Sequence, residues 1–165
     1  MKLRALLCTP FLLTVPLAAG DYDALARTLR QAWPQCATVA LVCDTAGSKG
    51  AIDAITGAMT GMKVIVVDVK GPQDIGKAVA TLTGRRPDAV VLVAGDKVAG
   101  DGSGAAAFLI QRLGAAKIPT VATTEQAVKQ GAVFAVGPGT AGKVLGNAKA
   151  AGAAGVSLPA GASPI

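Results

Sequence analysis

The chain has 165 residues, enough for one domain with a full core, and 52% of them are apolar. Only 3% are aromatic and none is histidine, so the core is built from Val, Ala, Leu and Ile, and chemistry that turns on an imidazole is excluded. The net charge of +6 comes from scattered basic residues without interleaved aromatics, which argues against a nucleic-acid groove built on base stacking.

In chain order, Lys2 and Arg4 precede a mostly apolar stretch over residues 5–19, and Ala18, Ala19 and Gly20 offer small residues before Asp21. This pattern predicts a cleaved secretory signal over residues 1–20 and a periplasmic or secreted product. Leu7 stands before Cys8 where lipidation wants a small residue. No later stretch reaches the ~18 consecutive apolar residues of a membrane span. A helix capped by Asp23 follows, with Leu25, Leu29 and Trp33 on one face, and Pro34 stops it. Residues 37–43 read as the first strand and 44–50 as its loop. Ile52, Ile55, Met59 and Met62 recur at helical spacing, and 64–68 form the second strand. Gly71 and Pro72 open a helix, proline sitting where its missing N–H costs nothing, with Ile75, Val79 and Leu82 inward. Residues 84–87 make a turn.

The run 90–94 is apolar without alternation, as expected of a strand buried on both faces at the centre of a parallel sheet. Gly95 and Asp96 open a glycine-rich loop that feeds a helix over 105–113, with Phe108, Leu109 and Leu113 inward. Residues 117–122 are the fourth strand, with Pro119 at its start. Thr123 and Gln126 form a capping box for a short helix ending at Gly131. Residues 132–136 are the fifth strand. A last helix has Val144, Leu145 and Ala148 inward, and the tail over 156–165 is irregular.

Strands alternating with helices predict an α/β fold: a single three-layer lobe over 21–155 with a doubly wound, parallel, five-stranded sheet in the flavodoxin-like order 2-1-3-4-5. The strand order reverses between the first and third strands, and ligands bind outside the carboxyl ends there. The loops at that point are 44–50 and 95–104, with 123–125 beside them. Asp44, Thr45 and Ser48 precede a helix, whose first N–H groups attract an anion. The carboxylates of Asp44 and Asp96 suit an ammonium group, so the crevice suits a small zwitterion. The competing reading is that Asp44 and Ser48 merely cap a turn and a helix. Gly100, Gly102 and Gly104 lack the dinucleotide spacing. No nucleophile–base pair, cofactor motif or metal cluster is legible, so catalytic residues are absent from the reading and the chain is expected to be non-enzymatic. Cys36 and Cys43 lie about 20 Å apart if both belong to one extended segment, too far to bridge, and read as buried free thiols.

Residues 33–44 (WPQCATVALVCD), 88–96 (DAVVLVAGD), 117–137 (KIPTVATTEQAVKQGAVFAVG), 142–147 and 155–159 together resemble the second lobe of ABC-transporter substrate-binding proteins of the tryptophan/tyrosine type. The resemblance implies a type I periplasmic-binding fold. It implies ligand contacts from the loops after the first, third and fourth strands, here Asp44, Ser48, Asp96, Lys97, Thr124 and Glu125. It implies a small-molecule solute; since half a clamshell does not enclose a ligand alone, either a homodimer closes the cleft or solute binding is weakened or lost, and a membrane permease or a second copy is the protein partner to expect. The alternative is a protein-interaction module that keeps the lobe fold without binding a solute.

Overall fold

The computed structural model describes residues 20–165. The expected leader up to residue 19, with Cys8, lies outside the described residues. Seven strands form one sheet in the order β2-β1-β3-β4-β5-β6-β7. They are β1 (Thr38–Cys43), β2 (Lys63–Asp68), β3 (Ala89–Leu92), β4 (Thr120–Thr124), β5 (Phe134–Gly139), β6 (Leu145–Gly146) and β7 (Ser163–Pro164). The helices are α1 (Gly20–Ala32), α2 (Lys49–Ala58), α3 (Ile75–Arg85), α4 (Gly104–Ala115), α5 (Glu125–Lys129) and α6 (Ala148–Ala154). No described helix is long and apolar enough to cross a membrane.

The first five strands are parallel and keep the expected order. In β3 all four residues are buried, and β1 is buried from Val39 onward. Alternate side chains serve opposite faces, as a period of two requires. Val39, Leu41, Val91 and Val121 pack beneath α1, α2 and α6, while Ala40, Val42 and Val90 pack under α3 and α4. Leu92 and Ala122 continue the second face beneath α4 and α5. Each fully buried Val or Leu contributes roughly 1.5–3 kcal/mol, so a three-layer sandwich of small aliphatics holds without aromatic bulk. The edge strand β2 has no residue fully covered, and Val66 is exposed.

Several local expectations are corrected. The sheet has seven strands rather than five, because the chain reverses after β5. Ala141 and Gly142 both take positive φ, and the Thr140 hydroxyl donates to the Lys143 carbonyl at 2.6 Å. That reversal sends β6 back antiparallel to β5, so Leu145 is a strand residue and the last helix starts only at Ala148, which is exposed. The tail is not wholly irregular, since Ser163 and Pro164 pair with β6. Phe108 points outward. The buried stripe of α4 is Ala106, Leu109, Ile110 and Leu113, and the Arg112 guanidinium lies 5.1 Å above the Phe108 ring. The cap of α5 is Thr124, not Thr123, because β4 runs two residues further than expected. Helix α1 starts at Gly20, ahead of Asp23. Cys43 is buried but Cys36 only partly so, and both are free. Burial, reinforced by Asp88, pushes the Cys36 thiol up to about 11; burial, reinforced chiefly by Asp96, pushes Cys43 up to about 12.

Candidate functional site

Parallel strands deliver the loops after β1, β2, β3 and β4 to one edge of the sheet. Asp44 and Asp96 meet there, as the strand order requires: the Asp44 N–H donates to Asp96 Oδ2 at 2.8 Å. The same oxygen accepts the Ser48 hydroxyl at 2.6 Å. Its companion Oδ1 accepts the N–H groups of Val98 at 2.9 Å and Ala99 at 2.7 Å. Asp96 is 8% exposed, and its carboxylate is a buried knot fastening the β1 loop to the β3 loop. Gly100 closes the loop against the Asp96 backbone so tightly that a Cβ there would collide with the carbonyl oxygen. Four donors thus reach the Asp96 carboxylate, and the Ser48 hydroxyl is one of them.

Asp44 keeps an accessible carboxylate. Its Oδ1 accepts from the Lys70 ammonium at 2.8 Å and from the Ala46 N–H at 3.3 Å. Among the described residues, Oδ2 accepts no hydrogen bond. Lys70 also pairs with Asp68 at 3.0 Å, and Asp68 Oδ1 accepts both the N–H and the hydroxyl of Thr45 at 2.9 and 2.7 Å. The Lys70 hydrogen bond holds the Asp44 carboxyl below the usual carboxylate range. The two Thr45 donors, then Lys70, hold Asp68 down to about 2. Lys70 is raised by its hydrogen bonds to Asp44 and then Asp68. The triad carries one net negative charge.

The remaining predicted residues lie along the same edge but are not drawn into that cluster. Lys97 is exposed on the β3 loop. Thr124 spends its hydroxyl as the cap of α5, accepting from the Ala127 N–H at 3.4 Å. Glu125 pairs with Lys129 at 2.7 Å. Because Ser48 serves Asp96, α2 begins without a side-chain cap, and its first N–H groups are left to solvent or ligand. Sequence reasoning missed Asp68 and Lys70, although a charged residue ending the second strand, beside the switch point, is the signal that finds them. It also missed Tyr22, whose hydroxyl accepts the Ala94 N–H at 3.2 Å, and Asp101, whose carboxylate accepts the Thr123 hydroxyl at 3.1 Å. Nothing local in the sequence points to those two contacts, which span 72 and 22 residues.

A doubly wound lobe with its loops knotted at the carboxyl edge can be compared with solved structures. One match is the ABC domain from Streptococcus pneumoniae solved in complex with L-Trp, with a TM-score of 0.70 at 16% identity over 87% of this chain and 60% of that one. The chain shares the fold of one part of that structure. The ligand-free, open structure of a substrate-binding protein with adhesive properties from Clostridium difficile gives a TM-score of 0.68 at 17% identity, over 84% of this chain and 57% of that one. A conserved domain protein from Vibrio cholerae gives 0.69 at 15%, over 87% and 59%. The chain thus spans no more than 60% of the length of these three structures. No protein-family model and no curated protein matches the sequence.

Proposed function

We propose that the chain is a secreted, non-enzymatic solute-binding lobe that captures a small amino-acid-like or anionic solute at the carboxyl edge of the sheet. The observation that carries this reading is the pairing of an uncapped α2 N-terminus with the open Oδ2 of Asp44 in loops that Asp96 holds rigid. In this reading the α2 N–H groups take the carboxylate of the solute and Asp44 takes its ammonium group. Thr45, Lys97, Thr124 and Glu125 form the rim. Ser48 and Asp96 position the loops and do not touch the solute. Pre-set loops lower the ordering cost of binding. The fold shared with an L-Trp-bound protein supports the same solute class.

A pocket normally buries 70–90% of a small ligand, more than one sheet edge provides. A second lobe, a second copy of this chain or a membrane permease therefore completes the cleft. Isothermal titration against the amino acids and small carboxylates tests the reading. A saturable heat with at least one of them, lost in Asp44→Ala, is expected. If every member is silent at millimolar protein, the solute reading fails and the lobe is a protein-docking module.

A further inference from the structure

A second hollow lies at the opposite edge of the sheet, between α4 and α6, with a volume of about 770 Å³. Ile118, Thr120 and Val133, at the amino ends of β4 and β5, line it together with Ile110 of α4 and Ala150 and Ala153 of α6. Its size and apolar lining are those of a small-molecule site. Two polar groups in the lining are buried without a partner, and one exposed cation stands at the rim. Thr120 is only 2% exposed, and among the described residues nothing hydrogen-bonds its hydroxyl. Gln130 Oε1 is buried without a partner, while its amide nitrogen is held at 3.4 Å by the carbonyls of Gly102 and Ser103. Lys149 stands on the α6 side and makes no ion pair among the described residues, whereas Lys129 is occupied by Glu125. No carboxylate lines the hollow. Buried polar groups are normally paired, so the unpaired ones mark where a ligand or water belongs.

We infer that this hollow binds a small amphipathic carboxylate. Its alkyl or aryl body packs on Ile110, Ile118 and Val133, its charge is met by Lys149, and the Thr120 hydroxyl donates to it. The site is independent of the solute reading above, because it sits at the other end of the strands.

Amide chemical shifts of the whole chain, titrated with octanoate and separately with octan-1-ol, decide the matter. Octanoate is expected to shift residues 107–120 and 147–154 saturably and to leave residues 44–48 and 96–101 unmoved. Octan-1-ol is expected to bind about tenfold more weakly, having no charge for Lys149. Lys149→Glu should weaken octanoate about tenfold, and Thr120→Val about fivefold. Ala153→Trp, at an exposed position on the wall, should abolish binding with the rest of the spectrum retained. The inference is overturned if octanoate moves no amide of the hollow, if the alcohol binds as tightly, or if folded Ala153→Trp binds unchanged. Shifts confined to residues 44–48 and 96–101 would also overturn it while supporting the carboxyl-edge solute site. Lys149→Glu and Ala153→Trp both alter exposed side chains, so they decide the outcome even if Thr120→Val does not fold.

Discussion

A single carboxylate joins loops that are 48 residues apart in the chain. Replacing Asp96 with alanine strands four donors, two of them on β3-loop residues that are part-buried or buried, and should cost about 3 kcal/mol of stability. Urea denaturation checks this. Asp44→Ala, which removes a partly exposed ion pair, should change the midpoint little, since solvent screens such pairs and holding two side chains in one geometry costs entropy. The contrast separates an enclosed carboxylate from one left partly open. Asp68 supplies a pH signature. Its carboxyl is lowered from 3.8 to about 2, so its contribution is fully present above pH 3.8 and is lost as the pH falls towards 2. Stability should therefore slope downward across that interval in the native sequence, and the slope should shrink in Asp68→Asn. An unchanged slope would mean that the Thr45 and Lys70 contacts do not persist in solution.

Helix ends decide how each element meets the next. At the end of α3, Arg86 adopts φ 47°, a left-handed conformation that costs an L side chain roughly 1–2 kcal/mol and costs glycine almost nothing. Its exposed side chain makes no hydrogen bond or ion pair among the described residues that would offset the strain, so Arg86→Gly should raise stability by about 1 kcal/mol, read from the thermal midpoint. At the start of α4, Ser103 accepts the Ala106 N–H at 3.0 Å, and this cap orients the helix that forms one wall of the amino-edge hollow. Ser103→Ala should lower stability by about 1 kcal/mol without disturbing the Asp96 knot. Helix α4 also shows why periodicity alone misplaces a large side chain. Phe108 and Leu109 are neighbours 100° apart on the helix, and the sheet beneath admits only the second.

At the scale of the molecule, the two ends of the described chain fasten each other. The Trp33 indole N–H donates to the Ser157 carbonyl at 2.8 Å, 124 residues away, and the ring meets Phe134 edge-on with centroids 5.4 Å apart. Val156 and Leu158 pack against the same cluster. Trp33 is the one tryptophan of the sequence, so its emission reports this closure. Removing residues 156–165 should shift that emission to the red and cost about 2–3 kcal/mol through lost apolar burial. An unshifted emission would show that the tail does not cover the ring.

The sequence by itself determined the layers. Unbroken apolar runs such as 39–43 and 89–93 can be satisfied only by burial on both faces, and their alternation with helical stretches leaves one strand order and one edge for the loops. The same order brings Asp44 and Asp96 to one edge of the sheet. What the two carboxylates do was decided by tertiary structure. Both are acidic loop residues following strands, and the local sequence does not distinguish them. One is enclosed by four donors from two loops and becomes scaffold, while the other is left half-open beside Lys70. The hollow between α4 and α6 was equally illegible, because it depends on the chain reversing after β5 at Ala141 and Gly142. A cavity is a property of how surfaces meet, and only the packed fold brings those surfaces together.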